Sequence, residues 1–266
     1  KLELPERNLY TCQTDKYLIK IDLLQNDELR YTCWNKPKNM KDQPDLILVG
    51  GDAAMGHFVY PHPIPVTETQ KHSAYEGCYA LSKVLEEVML EQYYVQYDFD
   101  GCCLRAPWIM EKDDFKYSMS FGEDVFGGPR WSELVGTEDA EKHKENGTVP
   151  IMLDPQGEPV QRNFVHVEDL VAAILLAIQH PKAKQELFNI CMNEPIDYGN
   201  VAKHLLKTRG LPSVSVDTSF RSTWLDNTKA KFLLGWRPQY DMARLVDESY
   251  DYKRSEDDPR KIWYPG

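Results

Sequence analysis

The chain of 266 residues carries 31 lysines and arginines against 42 aspartates and glutamates, a formal net charge of −11 at pH 7. Its content of 42% hydrophobic residues excludes disordered and fibrous proteins and is sufficient for a sizeable core. The acidic balance argues against nucleic acid or an anionic membrane surface as the main partner, because either would need a basic protein surface.

Short apolar runs alternate with longer segments of helical period, a pattern that is typical of a parallel sheet covered by helices. In chain order, the predicted elements are strands at residues 17–22 and 45–49, a helix at 79–94, a strand at 101–105, a helix that follows Val167, a strand at 187–190, and a short helix between Asp226 and Gly235. In the first helix, an apolar stripe is expected to face the core. This stripe comprises Leu81, Val84, Leu85 and Val88.

Tyr79 and Lys83 are four residues apart on the first predicted helix, so their side chains project from the same face. A phenol is a weak base near its usual pKa of about 10, but a neighbouring ammonium stabilises the phenolate and lowers that pKa. Such a pair can exchange a proton with a substrate hydroxyl near neutral pH. By itself the motif is a weak signal, because a tyrosine and a lysine on a solvated helix face give the same pattern.

Several further segments occur around this motif in a fixed order. They are residues 21–23, 44–48, 59–68, 104–107, 161–169, 188–190 and 234–238. Together with Tyr79-Ala-Leu-Ser-Lys83, they give a sequence that resembles the extended short-chain dehydrogenase/reductase family. The resemblance is to its NAD-dependent epimerase/dehydratase branch, which acts on sugars.

The resemblance implies an α/β fold with a Rossmann-type parallel sheet, helices on both faces and a smaller C-terminal substrate lobe. Residues 1–110 would form the cofactor-binding part, which lacks the first βα unit. Residues 111–266 would form mainly the substrate lobe, with strands and helices that return to the first part. Between residues 110 and 161 the regular pattern changes to glycine, proline and charged residues, which predicts an irregular segment.

The resemblance also implies roles for individual residues. Tyr79 would be the catalytic acid/base, and Lys83 would hold the nicotinamide ribose of NAD or NADP and tune Tyr79. Asp22, at the end of its strand, would contact the adenine end of the cofactor, with Leu23 beside it. Pro107 would lie near the nicotinamide.

Arg162 would bind the diphosphate of a nucleotide sugar, because its forked guanidinium suits bidentate charge-assisted hydrogen bonds. The alternative is a surface ion pair between Arg162 and Glu168 or Asp169. Trp108 stands where the family commonly has an asparagine that contacts nucleotide-sugar substrates, which weakens the case for a nucleotide handle.

The sequence departs from the family in two places that bear on the site. No Gly-x-x-Gly-x-x-Gly turn precedes the first strand, so we expect these 266 residues to bind the cofactor weakly unless residues outside them complete the site. Gly51 or a neighbour stands where the family usually has a serine or threonine that contacts the reacting hydroxyl. Asp52 is the nearest polar side chain, and we expect it to cap a turn.

Other features suggest reduced thiols and no metal. The six cysteines include no Cys-x-x-Cys pair, so we expect reduced core residues. His57 and His62 could be read as a metal pair, but without a third ligand they are interpreted as loop histidines. No stretch approaches the roughly 20 apolar residues that cross a bilayer, and the first residues lack the apolar centre of a signal peptide.

These observations predict a cytoplasmic NAD(P)-dependent sugar or nucleotide-sugar epimerase/dehydratase that works through a transient keto intermediate. We expect a homodimer with a small-molecule sugar substrate and no nucleic-acid or membrane partner. Two alternatives stay open: a simple sugar dehydrogenase or reductase, and a catalytically silent relative that acts as a binding module.

Overall fold

The computed structural model describes residues 7–13, 17–23, 29–35, 46–98, 100–122 and 129–258. Its strands are β1 (Arg7–Gln13), β2 (Tyr17–Leu23), β3 (Leu29–Asn35), β4 (Leu46–Gly51), β5 (Gly101–Ala106), β6 (Trp108–Met110), β7 (Val149–Leu153), β8 (Gln161–Arg162), β9 (Phe164–His166), β10 (Leu187–Asn189), β11 (Ile196–Asp197) and β12 (Ser213–Asp217). Its α-helices are α1 (Cys78–Tyr97), α2 (Asp114–Ser118), α3 (Trp131–Val135), α4 (Thr137–Glu145), α5 (Val167–Gln179), α6 (Tyr198–Arg209), α7 (Thr228–Leu233) and α8 (Met242–Asp251).

The parallel sheet that positions the site has the strand order β10-β5-β4. Each of the six residues of the central strand β5 is buried, as expected for a parallel strand covered on both faces. Helix α1 connects β4 to β5, and β10 joins the other side of β5 much later in the chain. The predicted α/β fold is therefore confirmed, as are the predicted strands at these three places.

The first three strands form a separate antiparallel sheet in the order β1-β2-β3. Residues 14–16 and 24–28 connect them, and such short connections cannot join parallel strands, which need a crossover of a dozen or more residues. The strand predicted at 17–22 is present, but it lies in an antiparallel sheet rather than in the predicted parallel one. Asp22 pairs in register with Asn8 and Arg30 of the neighbouring strands.

Helix α1 is present as predicted, but the interpretation of its buried face is wrong. Leu81, Leu85 and Val88 are 53%, 49% and 45% exposed. The helix instead buries Ala80, Glu87 and Leu90 against the sheet.

The reason for this orientation is an arginine in the middle of the sheet. The side chain of Arg105 in β5 is fully buried, and its Nε and Nη2 donate to the two carboxylate oxygens of Glu87 at 2.9 and 2.8 Å. Its Nη1 donates to Asn189 Oδ1 of β10 at 3.2 Å. Because a buried guanidinium must be paired, the helix turns Glu87 inward and leaves its larger apolar residues outside.

Helix α5 covers the parallel sheet with an apolar face that includes Leu170, Ala173 and Ile174. Its Asp169 carboxylate accepts hydrogen bonds from the backbone amides of Gln239 and Tyr240 at 2.8 and 3.1 Å. These bonds fix the segment that follows α7 against helix α5.

A second core lies in the C-terminal lobe. The parallel pair β7 and β12, the antiparallel pair β8 and β11, and helices α6 and α8 enclose it. The segment between residues 110 and 161 is more regular than expected, because α2, α3, α4 and β7 lie in it. Helices α3 and α4 are separated by Gly136, whose φ of +88° favours glycine and ends the first of them.

The cysteines are free where their side chains are described. Cys102, Cys103 and Cys191 are buried as predicted, whereas Cys78 is exposed, which corrects the expectation for that residue. It is exposed because it begins α1, where the chain emerges from a loop. The side chains of Cys12 and Cys33 lie outside the described residues.

Candidate active site

The candidate site lies where the parallel strands β4 and β5 end. Gly51 closes β4 in register with Ala106 of β5, and Pro107 follows directly. The first turns of α1 lie over the end of β4: a Cβ added at Gly51 would be 3.4 Å from the aliphatic stem of Lys83. This is the edge at which ligands bind in open α/β sheets.

Tyr79 and Lys83 share one face of α1, as predicted. The Lys83 Nζ atom lies 5.6 Å from the centre of the Tyr79 ring. It also donates to both carboxylate oxygens of Glu86, at 3.1 and 3.0 Å, so its charge is already paired.

The pKa of Tyr79 corrects the expectation that Lys83 lowers it. Burial, together with the negative charges of Asp52 and Glu86, raises the pKa of Tyr79 to about 12, whereas Arg162 acts in the opposite direction. Because Lys83 pairs with Glu86, its ammonium does not stabilise the phenolate in this structure. Tyr79 is therefore a protonated phenol at neutral pH.

Arg162 lies in β8 and is 5% exposed. Its guanidinium carbon is 4.1 Å from the centre of the Phe58 ring and 4.2 Å from that of Trp108, so the group is held between two aromatic faces. It is hydrogen-bonded to the Tyr198 hydroxyl, while its Nε and Nη1 have no protein partner.

The alternative of a surface ion pair for Arg162 is wrong. Asp169 accepts from two backbone amides, and Glu168 accepts from the Tyr240 hydroxyl at 3.2 Å. Neither carboxylate pairs with Arg162 among the described contacts. The guanidinium is instead a buried cation with two free donors, which is the chemistry of an anion site.

Asp52 begins the short 3-10 helix Asp52–Met55 and is 6% exposed. Its Oδ1 lies 3.4 Å from His57 Nδ1, and its Oδ2 is buried without a protein partner. The N-cap of this helix is Gly51, which has no side chain, and the expectation that Asp52 caps a turn stays a prediction. Burial lowers the pKa of His57, so His57 is neutral at pH 7.

The structure brings some of the predicted residues together and separates others. Tyr79 and Lys83 lie with Gly51 at the strand ends, where Arg162 acts electrostatically on Tyr79. Pro107 is buried one residue before Trp108, whose ring contacts Arg162.

Asp22 and Leu23 lie in the separate antiparallel sheet. The parallel strand end from which their adenine contact was expected is not formed, so that expectation is corrected. The reason is the short connections on either side of β2.

Sequence reasoning missed several residues of this site. They are His57, Phe58, Tyr75 and Tyr198, together with the buried state of Asp52. The one available signal was the sequence Gly50-Gly51-Asp52 at a strand end, because a carboxylate directly after a buried strand is placed at the edge where ligands bind.

Neither a metal site nor a membrane-spanning helix is found among the described residues. Among the described residues, no three histidine, cysteine, aspartate or glutamate side chains are grouped to hold a metal ion. None of the described helices combines the length and apolarity that crossing a bilayer requires.

A comparison with protein families matches residues 137–191 to the NAD dependent epimerase/dehydratase family. The matched segment includes Arg162 and all of helix α5. A curated relative from Arabidopsis thaliana, the chloroplast stem-loop binding protein of 41 kDa b, is 28% identical over 125 residues, which are 41% of this chain and 33% of that protein.

Solved structures share the fold. A short-chain dehydrogenase/reductase superfamily protein from Agrobacterium tumefaciens with bound NAD has a TM-score of 0.62 and 20% identity, over 76% of this chain and 65% of that chain. The UDP-glucuronic acid 4-epimerase from Bacillus cereus in complex with NAD has a TM-score of 0.57 and 19% identity, over 78% of this chain and 60% of that chain.

The chain therefore spans a third of the length of this curated relative and less than two thirds of these structures. The family match and the shared fold confirm the resemblance that the sequence motifs indicated.

Proposed function

We propose that this chain, which resembles the extended short-chain dehydrogenase/reductases in sequence and fold, is an NAD(P)-dependent sugar or nucleotide-sugar epimerase/dehydratase. The observation that carries the proposal is one arrangement of side chains. Tyr79 and Lys83 share a helix face at the ends of the parallel strands, near a buried guanidinium that has two unpartnered donors.

The residues present fit the reactive end of a nicotinamide cofactor. Lys83 places its stem over Gly51 and keeps 19% of its side chain exposed, so its ammonium can leave Glu86 for a ribose hydroxyl. Tyr79 is accessible, and Pro107 follows the strand end. The pyrophosphate end has no counterpart in the first 49 residues, which contain no glycine.

In the proposed reaction, Tyr79 accepts the proton of a substrate hydroxyl as that carbon is oxidised, and it returns a proton when the carbonyl is reduced. A bound nicotinamide would supply the hydride acceptor and donor. Arg162 provides a positive charge that favours the phenolate and Asp52 and Glu86 oppose it, while Lys83 would add its own charge once it leaves Glu86. A transfer of Lys83 from Glu86 to the ribose would therefore prepare Tyr79 for proton transfer.

Arg162 would hold an anionic group of the substrate through its unpartnered Nε and Nη1. Such a group could be a diphosphate or a sugar carboxylate, since both accept hydrogen bonds from a guanidinium. One structural neighbour is named for a substrate that carries both groups, UDP-glucuronic acid. The burial of Arg162 between Phe58 and Trp108 favours a small acceptor that can enter between the two rings.

The test is an assay of UDP-glucose, UDP-glucuronic acid and D-glucuronate with NAD⁺ or NADP⁺, in which products are identified by NMR. Epimerised or dehydrated product without net NADH supports the proposal. Net NADH with an oxidised product identifies the simple dehydrogenase. In this assay Tyr97→Phe is the matched control for Tyr79→Phe, because Tyr97 is an exposed tyrosine at the far end of α1.

A binding module without catalysis is the second candidate, and one observation favours it. The pKa of Tyr79 is raised to about 12, and Lys83 is paired with Glu86 rather than free. The curated relative is itself named as a stem-loop binding protein. Complete absence of cofactor binding and turnover in the native protein would support this candidate.

A cytoplasmic homodimer is the assembly and location that we propose. Apolar side chains spaced by four residues along α1 face solvent and support a self-association surface. They are Leu81, Leu85, Met89, Tyr93 and Tyr97. Sedimentation of the Leu85→Glu variant tests the homodimer. Lys142→Glu, a change at an exposed charged position, is its control.

A further inference from the structure

The site contains a buried carboxylate that the proposed chemistry does not yet use. Asp52 is 6% exposed, and among the described residues His57 is the one basic group within ion-pair distance. Because His57 is neutral at pH 7, it does not balance the charge of Asp52. A buried charge with an unpaired oxygen destabilises a fold, so its presence in a ligand site indicates a function.

We propose that Asp52 binds a substrate hydroxyl next to the reacting one. This inference rests on the proposed function and adds a residue that determines which substrates fit. The unpartnered Oδ2 of Asp52 accepts the hydroxyl, while the second oxygen faces His57 at 3.4 Å.

His57 is placed to orient this carboxylate. Its ring makes an edge-on contact with Tyr75 at a centroid distance of 5.2 Å, and its neighbour Phe58 packs against Arg162. Asp52 and Arg162 act electrostatically on each other and on Tyr79, although they form no direct ion pair among the described contacts. The acceptor, the proton-transferring phenol and the cation therefore belong to one site.

The chemistry of a carboxylate restricts the substrate. A carboxylate at neutral pH only accepts hydrogen bonds, whereas a serine hydroxyl both donates and accepts. The reacting hydroxyl gives its proton to Tyr79, so the donor to Asp52 is a second hydroxyl close to it. The substrate class is thus a polyol carbon chain or sugar ring with neighbouring hydroxyls and an anionic group for Arg162.

The test compares Asp52→Asn with Asp154→Asn in the native protein. Asp154 is an aspartate with a true turn role, since its Oδ1 accepts from the backbone amides of Gln156 and Glu158. With UDP-glucuronic acid and NAD⁺, we expect Asp52→Asn to lower kcat/KM by about 10–10²-fold. Its Tm should equal or exceed that of the wild type, whereas the Tm of Asp154→Asn should fall.

A rescue separates hydroxyl binding from a structural role. Gly51 has an extended backbone, with φ −133°, and a Cβ there makes ordinary contact with Lys83, so a serine fits. Adding Gly51→Ser to Asp52→Ala should raise the activity at least about tenfold, because the serine returns a polar group to the neighbouring position. A structural aspartate would not be rescued in this way.

The outcomes separate the two proposals. If Asp52→Asn keeps more than half of the wild-type activity, the role of Asp52 is overturned and the proposed function still stands. A fall in Tm in Asp52→Asn that matches Asp154→Asn also overturns it. If the wild type turns over none of the probes, the proposed function fails. The role of Asp52 is then decided by the affinity for D-glucuronate, measured by NMR. Asp52→Asn should lower this affinity, and an unchanged affinity would refute the role of Asp52.

Discussion

At the scale of single residues, the proposed chemistry depends first on the Tyr79 hydroxyl. Tyr79→Phe removes the proton-transferring oxygen and leaves the ring in place, so we expect kcat to fall by about 10²–10⁴-fold with the fold unchanged. Steady-state kinetics and circular dichroism of the variant measure both effects. A variant that keeps more than half of the wild-type kcat would rule out Tyr79 as the acid/base.

The ion pair between Lys83 and Glu86 predicts a shift in pH dependence. The pKa of Tyr79 is raised to about 12, and the charge of Glu86 is one cause. Activity that needs the phenolate therefore rises with pH toward that value. Glu86→Gln removes a negative charge and frees Lys83, so the pKa of Tyr79 falls and the rise moves to lower pH.

Lys83→Met is the opposing variant, because it removes the ammonium that would favour the phenolate in the loaded site. We expect weaker cofactor binding and a rise in activity that moves to higher pH. The measurement is log(kcat/KM) from neutral to alkaline pH for both variants. Identical profiles in the two variants and the wild type would mean that Tyr79 and Lys83 are ordinary residues of a solvated helix face, without a catalytic role.

Arg162 has a testable role as an anion-binding group. Arg162→Met removes two unpartnered donors but also the hydrogen bond to the buried Tyr198 hydroxyl, so we expect a loss of about 1–3 kcal/mol in the free energy of unfolding. The KM for an anionic substrate should rise by about 10–10²-fold, the equivalent of about 1.5–3 kcal/mol for a charge-assisted contact. Arg244→Met, at an exposed ion pair in α8, is the control, and equal KM changes in both variants would contradict the assignment.

At the scale of elements, the orientation of α1 depends on the buried pair of Glu87 and Arg105. Their side chains are 2% and 0% exposed, and His72 Nε2 lies 2.7 Å from the same carboxylate. Glu87→Ala leaves a buried guanidinium unpaired, so we expect a loss of about 3–5 kcal/mol in the free energy of unfolding.

Urea denaturation measures this loss. The double variant Glu87→Leu/Arg105→Met should recover most of it, because no buried charge remains. A loss below about 1 kcal/mol in Glu87→Ala would show that the pair does not fix the helix.

The pattern of the sequence predicted the elements better than their faces and partners. Strands β4, β5 and β10 and helices α1 and α5 follow from apolar runs and helical spacing, which are local signals. The buried face of α1 does not, because Arg105, a strand residue distant in sequence, decides it.

The partners of the site residues show the same limit. The motif located Tyr79 and Lys83, but not the partly buried ion pair of Lys83 with Glu86 that changes their chemistry. The buried state of Asp52 depends on His57, Phe58 and Tyr75, which the loop after β4 brings together. No spacing pattern in the sequence predicts such a loop, because its backbone is irregular and has no helical or strand period.

At the scale of the whole molecule, the proposed cofactor site has residues for the nicotinamide end, whereas the first 49 residues contain no glycine-rich turn for the pyrophosphate. We therefore expect a protein of these residues alone to show no saturable change in NADH fluorescence at micromolar cofactor. A Lys83→Met protein serves as the reference for non-specific signal. Tight binding by the 266 residues would mean that the cofactor is held by groups other than those described above.

The position of β5 between β4 and β10 has a consequence for how the chain assembles. Strand β4 and helix α1 come just before β5, but β10 joins it only after residues 107–186, which include α2 to α5. Until then, β5 has an apolar unpaired edge that can add a strand from another molecule. A fragment that stops near Met110 should consequently aggregate, and the intact chain should scatter light transiently during refolding, before residues 187–189 pair with β5.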